Sequence, residues 1–348
     1  MTETKPETHP ETEPEPDILG ELIAALSLEE KVGQLFLVRL PENGIDRAVS
    51  EYKVGNFILF ANDFSGLDKN EAVNKIASLQ SQSDIGMLIA VDEEGGNVNR
   101  VSKYPSLRES PFPSPSALYK KGGIDAIRAD AVEKGAFLRS FGINLNLAPV
   151  ADVSTDPKDF IFPRTVGQDA ATTARAVAAA VEGMNAAGIA CSLKHFPGYG
   201  NNADTHTGIA IDERPLSSFR ENDLVPFRAG IEAGVGTLMV SHNIVKCMDP
   251  DRPASLSPEV HCLLRDELGF DGVIITDELS MGAILEYTDG KSAAVAAVLA
   301  GNDLLCVTDF ETQITAVIEA VRNGTIPEER IDTSLRRVLK LKKMLGLI

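Results

Sequence analysis

The sequence predicts a single (β/α)8 barrel, and three observations carry that expectation. Eight short β-rich runs alternate with helix-like segments, each run is apolar through most of its length, and ionisable residues gather at the C-terminal ends of several runs. The chain has 348 residues, 43% of them hydrophobic, enough for one large core.

Residues 1–17 are expected to form a disordered acidic Pro/Thr/Glu tail, because MTETKPETHPETEPEP offers nothing aliphatic or aromatic to bury beyond Met1. Residues 18–348 are assigned to the barrel. Its strands are read at 34–40 (QLFLVRL), 54–60 (VGNFILF), 85–92 (IGMLIAVD), 143–150 (INLNLAPV), 189–196 (IACSLKHF), 236–243 (GTLMVSHN), 271–277 (DGVIITD) and 302–308 (NDLLCVT). None alternates strictly, as expected of parallel strands covered on both faces. Helices are read between them at 68–82, 125–141, 169–188, 257–269 and 311–324, several opening on Ser or Asp and closing on Gly. A last helix at 327–345 starts near Pro327 and carries Lys and Arg towards its end, which suits the helix dipole. An open doubly wound sheet would show the same alternation, but no GxGxxG follows the first strand.

A net charge of −18 repels phosphate backbones and anionic lipid, so nucleic acid is excluded as a partner. The four cysteines (Cys191, Cys247, Cys262 and Cys306) lack CxxC spacing and read as reduced thiols, without a zinc cluster or disulfide framework. The N-terminus has neither the basic nor the apolar region of a signal peptide, and no uninterrupted apolar stretch reaches the ~18 residues of a membrane span. A soluble, cytoplasmic protein is the expectation. The Thr/Pro/Glu tail would also suit an extracellular or lipid-anchored protein whose export signal has been removed.

Four of the eight runs end on ionisable residues: Asp92, Lys194-His195, His242 and Asp277. In a barrel this is the rim that carries active sites, whereas charges needed only for stability have no reason to collect there. After Asp92, the paired Gly95-Gly96 permits a sharp turn and Arg100 follows, giving either a sugar-hydroxyl acceptor with its supporting cation or a structural ion pair. The loop SLKHFPGYGNNADTHTG at 192–208 carries Asp204 two residues before His206. A carboxylate so placed orients the imidazole and stabilises its charged form, as proton transfer near neutral pH requires. Asp277-Glu278 ends an apolar strand, where a carboxylate is able to attack an anomeric carbon or merely cap the next helix. Register decides which of the two faces the pocket, and the strand-terminal Asp277 is the expected one.

KHFPGxG followed by DxH, the DEEGG…R loop and ELGFDGVIITDELSM together resemble glycoside hydrolase family three, in particular its single-domain bacterial β-N-acetylhexosaminidases of peptidoglycan recycling. The similarity runs from about residue 19 to the C-terminus. It implies retaining hydrolysis of terminal non-reducing N-acetylglucosamine without metal or organic cofactor, with Asp277 as nucleophile, His206 as acid/base and Asp204 as its partner. It also implies a sugar pocket of Asp92, Arg100, Arg164, Lys194 and His195, with His242 a further member. Two departures stand out: Tyr199 replaces the His of the usual GHG, and three residues rather than four separate Gly200 from Asp204.

The expected partner is a small carbohydrate or muropeptide, and the chain is expected to be a monomer or weak homo-oligomer. Phosphorolysis is the mechanistic alternative, since neutral imidazole would not repel phosphate as a carboxylate base would. β-Glucosidase or β-xylosidase activity would use the same residues. A metal-dependent hydrolase built on Asp204, His206 and His242 lacks a tight ligand motif such as HExxH. A non-catalytic glycan-binding barrel would not need both the nucleophile and the Asp–His pair.

Overall fold

A computed structural model of the protein describes residues 17–200, 210–288 and 292–348. Its parallel strands are β1 (Phe36–Arg39), β2 (Asn56–Leu59), β3 (Leu88–Val91), β4 (Leu145–Asn146), β5 (Ala190–Phe196), β6 (Thr237–Val240), β7 (Val273–Thr276) and β8 (Leu305–Val307). Each lies inside one of the eight predicted runs. Neighbours pair in chain order, β8 returns to β1, and a parallel bridge from Ile275 to Leu304 joins β7 to β8, closing the ring. The doubly wound alternative is thereby excluded. The tail reading for residues 1–17 falls, apart from Asp17, outside the described residues.

Burial on both faces explains the unbroken apolar runs: every residue of β2, β3 and β5–β7 is buried, whereas β1 ends on the exposed Arg39. The β7–β8 seam closes through a single parallel bridge and the backbone hydrogen bonds beside it. Asp303, fully buried there, accepts hydrogen bonds from the Ile274 amide at 3.0 Å and from Ser334 Oγ at 2.8 Å, and Arg265, Arg330 and Arg337 surround it. This one carboxylate ties the closing strands to the last helix.

The surrounding helices begin where side-chain oxygens replace missing backbone partners. Asp68, Asp169, Ser257 and Asp309 cap Lys69–Gln80, Ala170–Ala186, Pro258–Cys262 and Phe310–Arg322, close to the predicted starts. Pro115–Arg139 starts ten residues before the predicted helix, because Gly122 and Gly123 break the helical dihedrals and hide the continuity of its pattern. Ala293–Ala300 is a further helix whose AAVAAVLA sequence has no polar face to set a period. A short parallel pair, Ile211–Asp212 with Ile244–Val245, stands beside the barrel and was not predicted.

At the N-terminal end of the barrel, Lys342 of the last helix (Glu328–Met344) is fully buried and donates to Gln34 Oε1 at 2.6 Å and the Gly55 carbonyl at 3.1 Å. Burial lowers its pKa to about 7. The unfolded chain then binds the extra proton between pH 7 and the ordinary lysine range, so stability rises with pH across that window. Urea unfolding of wild type should show roughly 2 kcal/mol more stability at pH 9 than at pH 7 from this group. In Lys342→Met that component should vanish, and an unchanged pH slope would mean that Lys342 is solvated and charged.

Candidate active site

Strand ends β1–β3 and β5–β8 and their loops enclose a cleft of about 440 Å³ at the C-terminal face, lined by Asp92, Arg100, Arg164, Lys194, His195 and Asp277 among others. Six of the nine site residues read from the sequence therefore meet in one cavity. Asp204 and His206 lie outside the described residues.

The floor is a chain of alternating charges. Lys194, 2% exposed at the end of β5, sits 2.6 Å from Asp92 Oδ1 and 2.6 Å from Glu94 Oε1. Arg164 clamps the other side of Glu94 in a two-point contact at 2.7 and 3.0 Å. Burial alone would raise the Glu94 carboxyl, but the Lys194 ammonium and the Arg164 guanidinium outweigh it and hold the group well below the ordinary carboxylate range. Burial would likewise lower Lys194, and the Asp92 and Glu94 carboxylates reverse that, keeping it charged.

Arg164 also reaches His195 Nε2 at 3.1 Å, while His195 Nδ1 stands 2.8 Å from Asp152 Oδ2. An arginine only donates, so Nε2 accepts and Nδ1–H donates to Asp152, which fixes a neutral tautomer. Asp152 also takes the His195 amide at 3.0 Å and, through Oδ1, the Tyr199 amide at 2.8 Å. Tyr199, the substitute for the usual His, is buried edge-to-face against His195 and Phe160. Beyond residues 201–209, Arg214 forks onto Asp212 and Asp223.

In the DEEGG turn the three acids divide their work. Asp92 faces the cleft, with Arg100 3.6 Å from its second oxygen. Glu93 points inward, taking the amides of Arg100, Val101 and Ser102 at 2.8–3.2 Å, and Glu94 joins the floor. Gly95 has φ 103°, and a Cβ there would lie 2.2 Å from the Pro113 carbonyl oxygen, so this turn needs glycine.

Across the cleft, the Asp277 amide extends the β6–β7 pairing onto the Val240 carbonyl at 3.0 Å, and Asp277 Oδ1 accepts from the Glu278 amide at 2.9 Å. Glu278 also lines the cleft, but its carboxylate is engaged by the Ser280 and Thr308 amides at 3.2 and 3.0 Å. Burial pushes its pKa up, and those amides offset part of the rise.

His242 is not brought to the cleft wall. It is fully buried, with Nδ1 2.7 Å from Ser255 Oγ and Nε2 3.0 Å from the Glu278 carbonyl, and so supports the segment after Asp277. Asp152, Glu93 and Glu94 were not singled out from the sequence. For the last two the signal was present, since three consecutive acids after an apolar strand cannot all face solvent. Asp152 lies just past the predicted end of β4, so counting strand-terminal charges stopped short of it. The cysteines Cys191 and Cys306 are buried free thiols, Cys306 within the cleft lining, while Cys262 is exposed.

Fold and cleft together define the class: a closed (β/α)8 barrel whose polar cavity opens at the strand C-termini, where barrel enzymes hold their active sites. The Glycosyl hydrolase family 3 N terminal domain matches residues 27–341, and the chain belongs to that family. Beta-hexosaminidase LpqI of Mycobacterium tuberculosis is 34% identical over 333 residues, covering 92% of this chain and 84% of that protein. Beta-hexosaminidase A of Pseudoalteromonas piscicida is 29% identical over 329 residues, and the match spans 86% of this chain but only 55% of the relative. The solved glycoside hydrolase family 3 beta-N-acetylglucosaminidase from Paenibacillus sp. str. FPU-7 superposes with a TM-score of 0.86 at 33% identity, covering 93% of this chain and 63% of that one.

Removing Glu94 from the buried network should leave Arg164 without its paired carboxylate and Lys194 with Asp92 alone. Glu94→Ala should cost about 3–5 kcal/mol of unfolding free energy in a urea titration. A loss below about 1 kcal/mol would show that water already neutralises Lys194 and Arg164.

Proposed function

We propose that the protein is a retaining β-N-acetylhexosaminidase that removes terminal, non-reducing β-linked N-acetylglucosamine, with peptidoglycan fragments as the natural substrate class. The observation that carries this reading is the shared cleft: Asp277 stands in the same cavity as Asp92, Arg164, Lys194 and His195. Family membership and the similarity to beta-hexosaminidase LpqI and to the Paenibacillus beta-N-acetylglucosaminidase support the sugar specificity.

In the proposed reaction, sugar hydroxyls hydrogen-bond to Asp92, Lys194, Arg164 and His195, and the anomeric carbon faces Asp277. A carboxylate oxygen of Asp277 forms a bond to that carbon as the glycosidic C–O bond breaks, and His206 delivers a proton to the leaving oxygen. Asp204 stabilises the imidazolium beforehand. Water then attacks the glycosyl-enzyme from the vacated side and passes its proton to His206. The free sugar departs and Asp277 returns as carboxylate.

The decisive assay is turnover of 4-nitrophenyl β-N-acetylglucosaminide with and without phosphate. Free N-acetylglucosamine in both conditions is expected, whereas sugar 1-phosphate formed only with phosphate would replace hydrolysis by phosphorolysis. Turnover only of β-glucosides or β-xylosides would move the specificity within the same mechanism. Asp277→Ala should lower kcat by at least about 10³-fold with an unchanged unfolding midpoint, as expected for loss of the nucleophile. Near-normal activity would reassign that role.

For His206→Ala, the activated aryl glycoside should lose far less activity than a disaccharide with a poor leaving group. General acid assistance contributes about 10²–10⁴-fold and matters most for poor leaving groups. Equal losses on both substrates would remove His206 from the acid role.

A further inference from the structure

Two cations, Arg39 at the end of β1 and Arg100 in the loop after β3, flank Phe60 in the cleft, and the proposed chemistry does not use them in full. Arg39 ends β1 exposed at the cleft, and its guanidinium lies 4.8 Å from the centre of the Phe60 ring. Arg100 lies 5.2 Å from the same ring centre, so the two guanidiniums are within about 10 Å of each other. Phe60 lines the cleft as well.

The charge balance around them is uneven. Arg100, Lys194 and Arg164 share only two carboxylates, Asp92 and Glu94, and Arg100 holds the longest of those contacts, at 3.6 Å. Its Nε is buried without a hydrogen-bond partner among the described residues. Arg39 has no carboxylate within ion-pair distance among the described residues, and its guanidinium lies over the aromatic face of Phe60. On a chain of net charge −18, a cation at a cleft mouth left without an acid is unexpected. A ring face attracts a guanidinium by about 0.5–2 kcal/mol, and it leaves the planar N–H edge available to a ligand.

We propose that Arg39, with Arg100 behind it and Phe60 as the platform, forms a subsite for a carboxylate on the aglycone. The sugar-binding cations Lys194 and Arg164 are buried or half-buried at the floor, where the terminal sugar would sit, whereas Arg39 is at the mouth, where the rest of the substrate must project. A planar carboxylate matches the guanidinium fork. The local positive charge also offsets the repulsion that so acidic a protein exerts on an anionic substrate. This inference rests on the proposed hydrolase reading and adds the charge of the leaving portion to it.

The test compares 3-carboxy-4-nitrophenyl β-N-acetylglucosaminide with its neutral 3-carbamoyl isostere. Wild type should favour the carboxylate by about tenfold in kcat/KM at low salt, the size of one charge-assisted hydrogen bond, and raising ionic strength should shrink that ratio. Arg39→Ala should bring the ratio to about one, and Arg39→Lys should keep part of it. A wild-type ratio near one, or a ratio untouched by Arg39→Ala, overturns the subsite while leaving the hydrolase reading in place. Turnover of the unsubstituted 4-nitrophenyl β-N-acetylglucosaminide without turnover of either substituted glycoside overturns the subsite alone, and no turnover of any of the three removes the N-acetylglucosaminidase reading and the subsite with it.

Discussion

The cleft is assembled around the need to keep a lysine charged where almost no water reaches. Lys194 ends the longest strand of the barrel and is nearly sealed, so its ammonium requires acids at close range. Asp92 and Glu94 supply them from the turn after β3. Glu94, once buried, demands Arg164. Arg164 fixes the acceptor nitrogen of His195, His195 in turn fixes Asp152, and Asp152 takes the amide of Tyr199. Each partner is there because the previous one could not be left unpaired, and the result is a rigid polar floor ordered before any ligand arrives.

Lys342 at the opposite end of the barrel shows what the acids at the rim accomplish. It is just as buried, yet its partners are an amide oxygen and a peptide carbonyl, so burial dominates and its pKa falls to about 7. At Lys194 two carboxylates reverse the sign of the shift. The fold tolerates an interior lysine at either end, but at the rim it is held as a cation.

The sequence made the eight strands legible because parallel strands buried on both faces leave unbroken apolar runs, and it made the rim legible because Asp92, Lys194 and Asp277 interrupt those runs at their ends. Elements without a polar face, such as Ala293–Ala300, or with a kink, such as Pro115–Arg139, were obscured because periodicity was the signal sought. His242 occupies the same strand-end position as the cleft residues, yet its side chain turns beneath the rim to bind Ser255 and the Glu278 carbonyl. Strand position fixes height on the barrel, whereas the local turn fixes which way a side chain points, and only the first is readable in one dimension. Asp152 lies beyond the apolar run of β4, and the run of three acids at Asp92–Glu94 does not by itself say which of them turns to the floor.

The Asp303 seam ties the closing of the cleft to the last helix. The strand that delivers Asp277 meets the strand that delivers Cys306 through hydrogen bonds such as Thr276 N–H to the Leu304 carbonyl, and through a carboxylate that also grips Ser334 of the last helix. Two arginines of that helix, Arg330 and Arg337, converge on the same carboxylate, so removing either side would leave buried charge uncompensated. The alignment of the walls bearing Asp277 and Arg39 thus depends on a helix that lies outside the cleft.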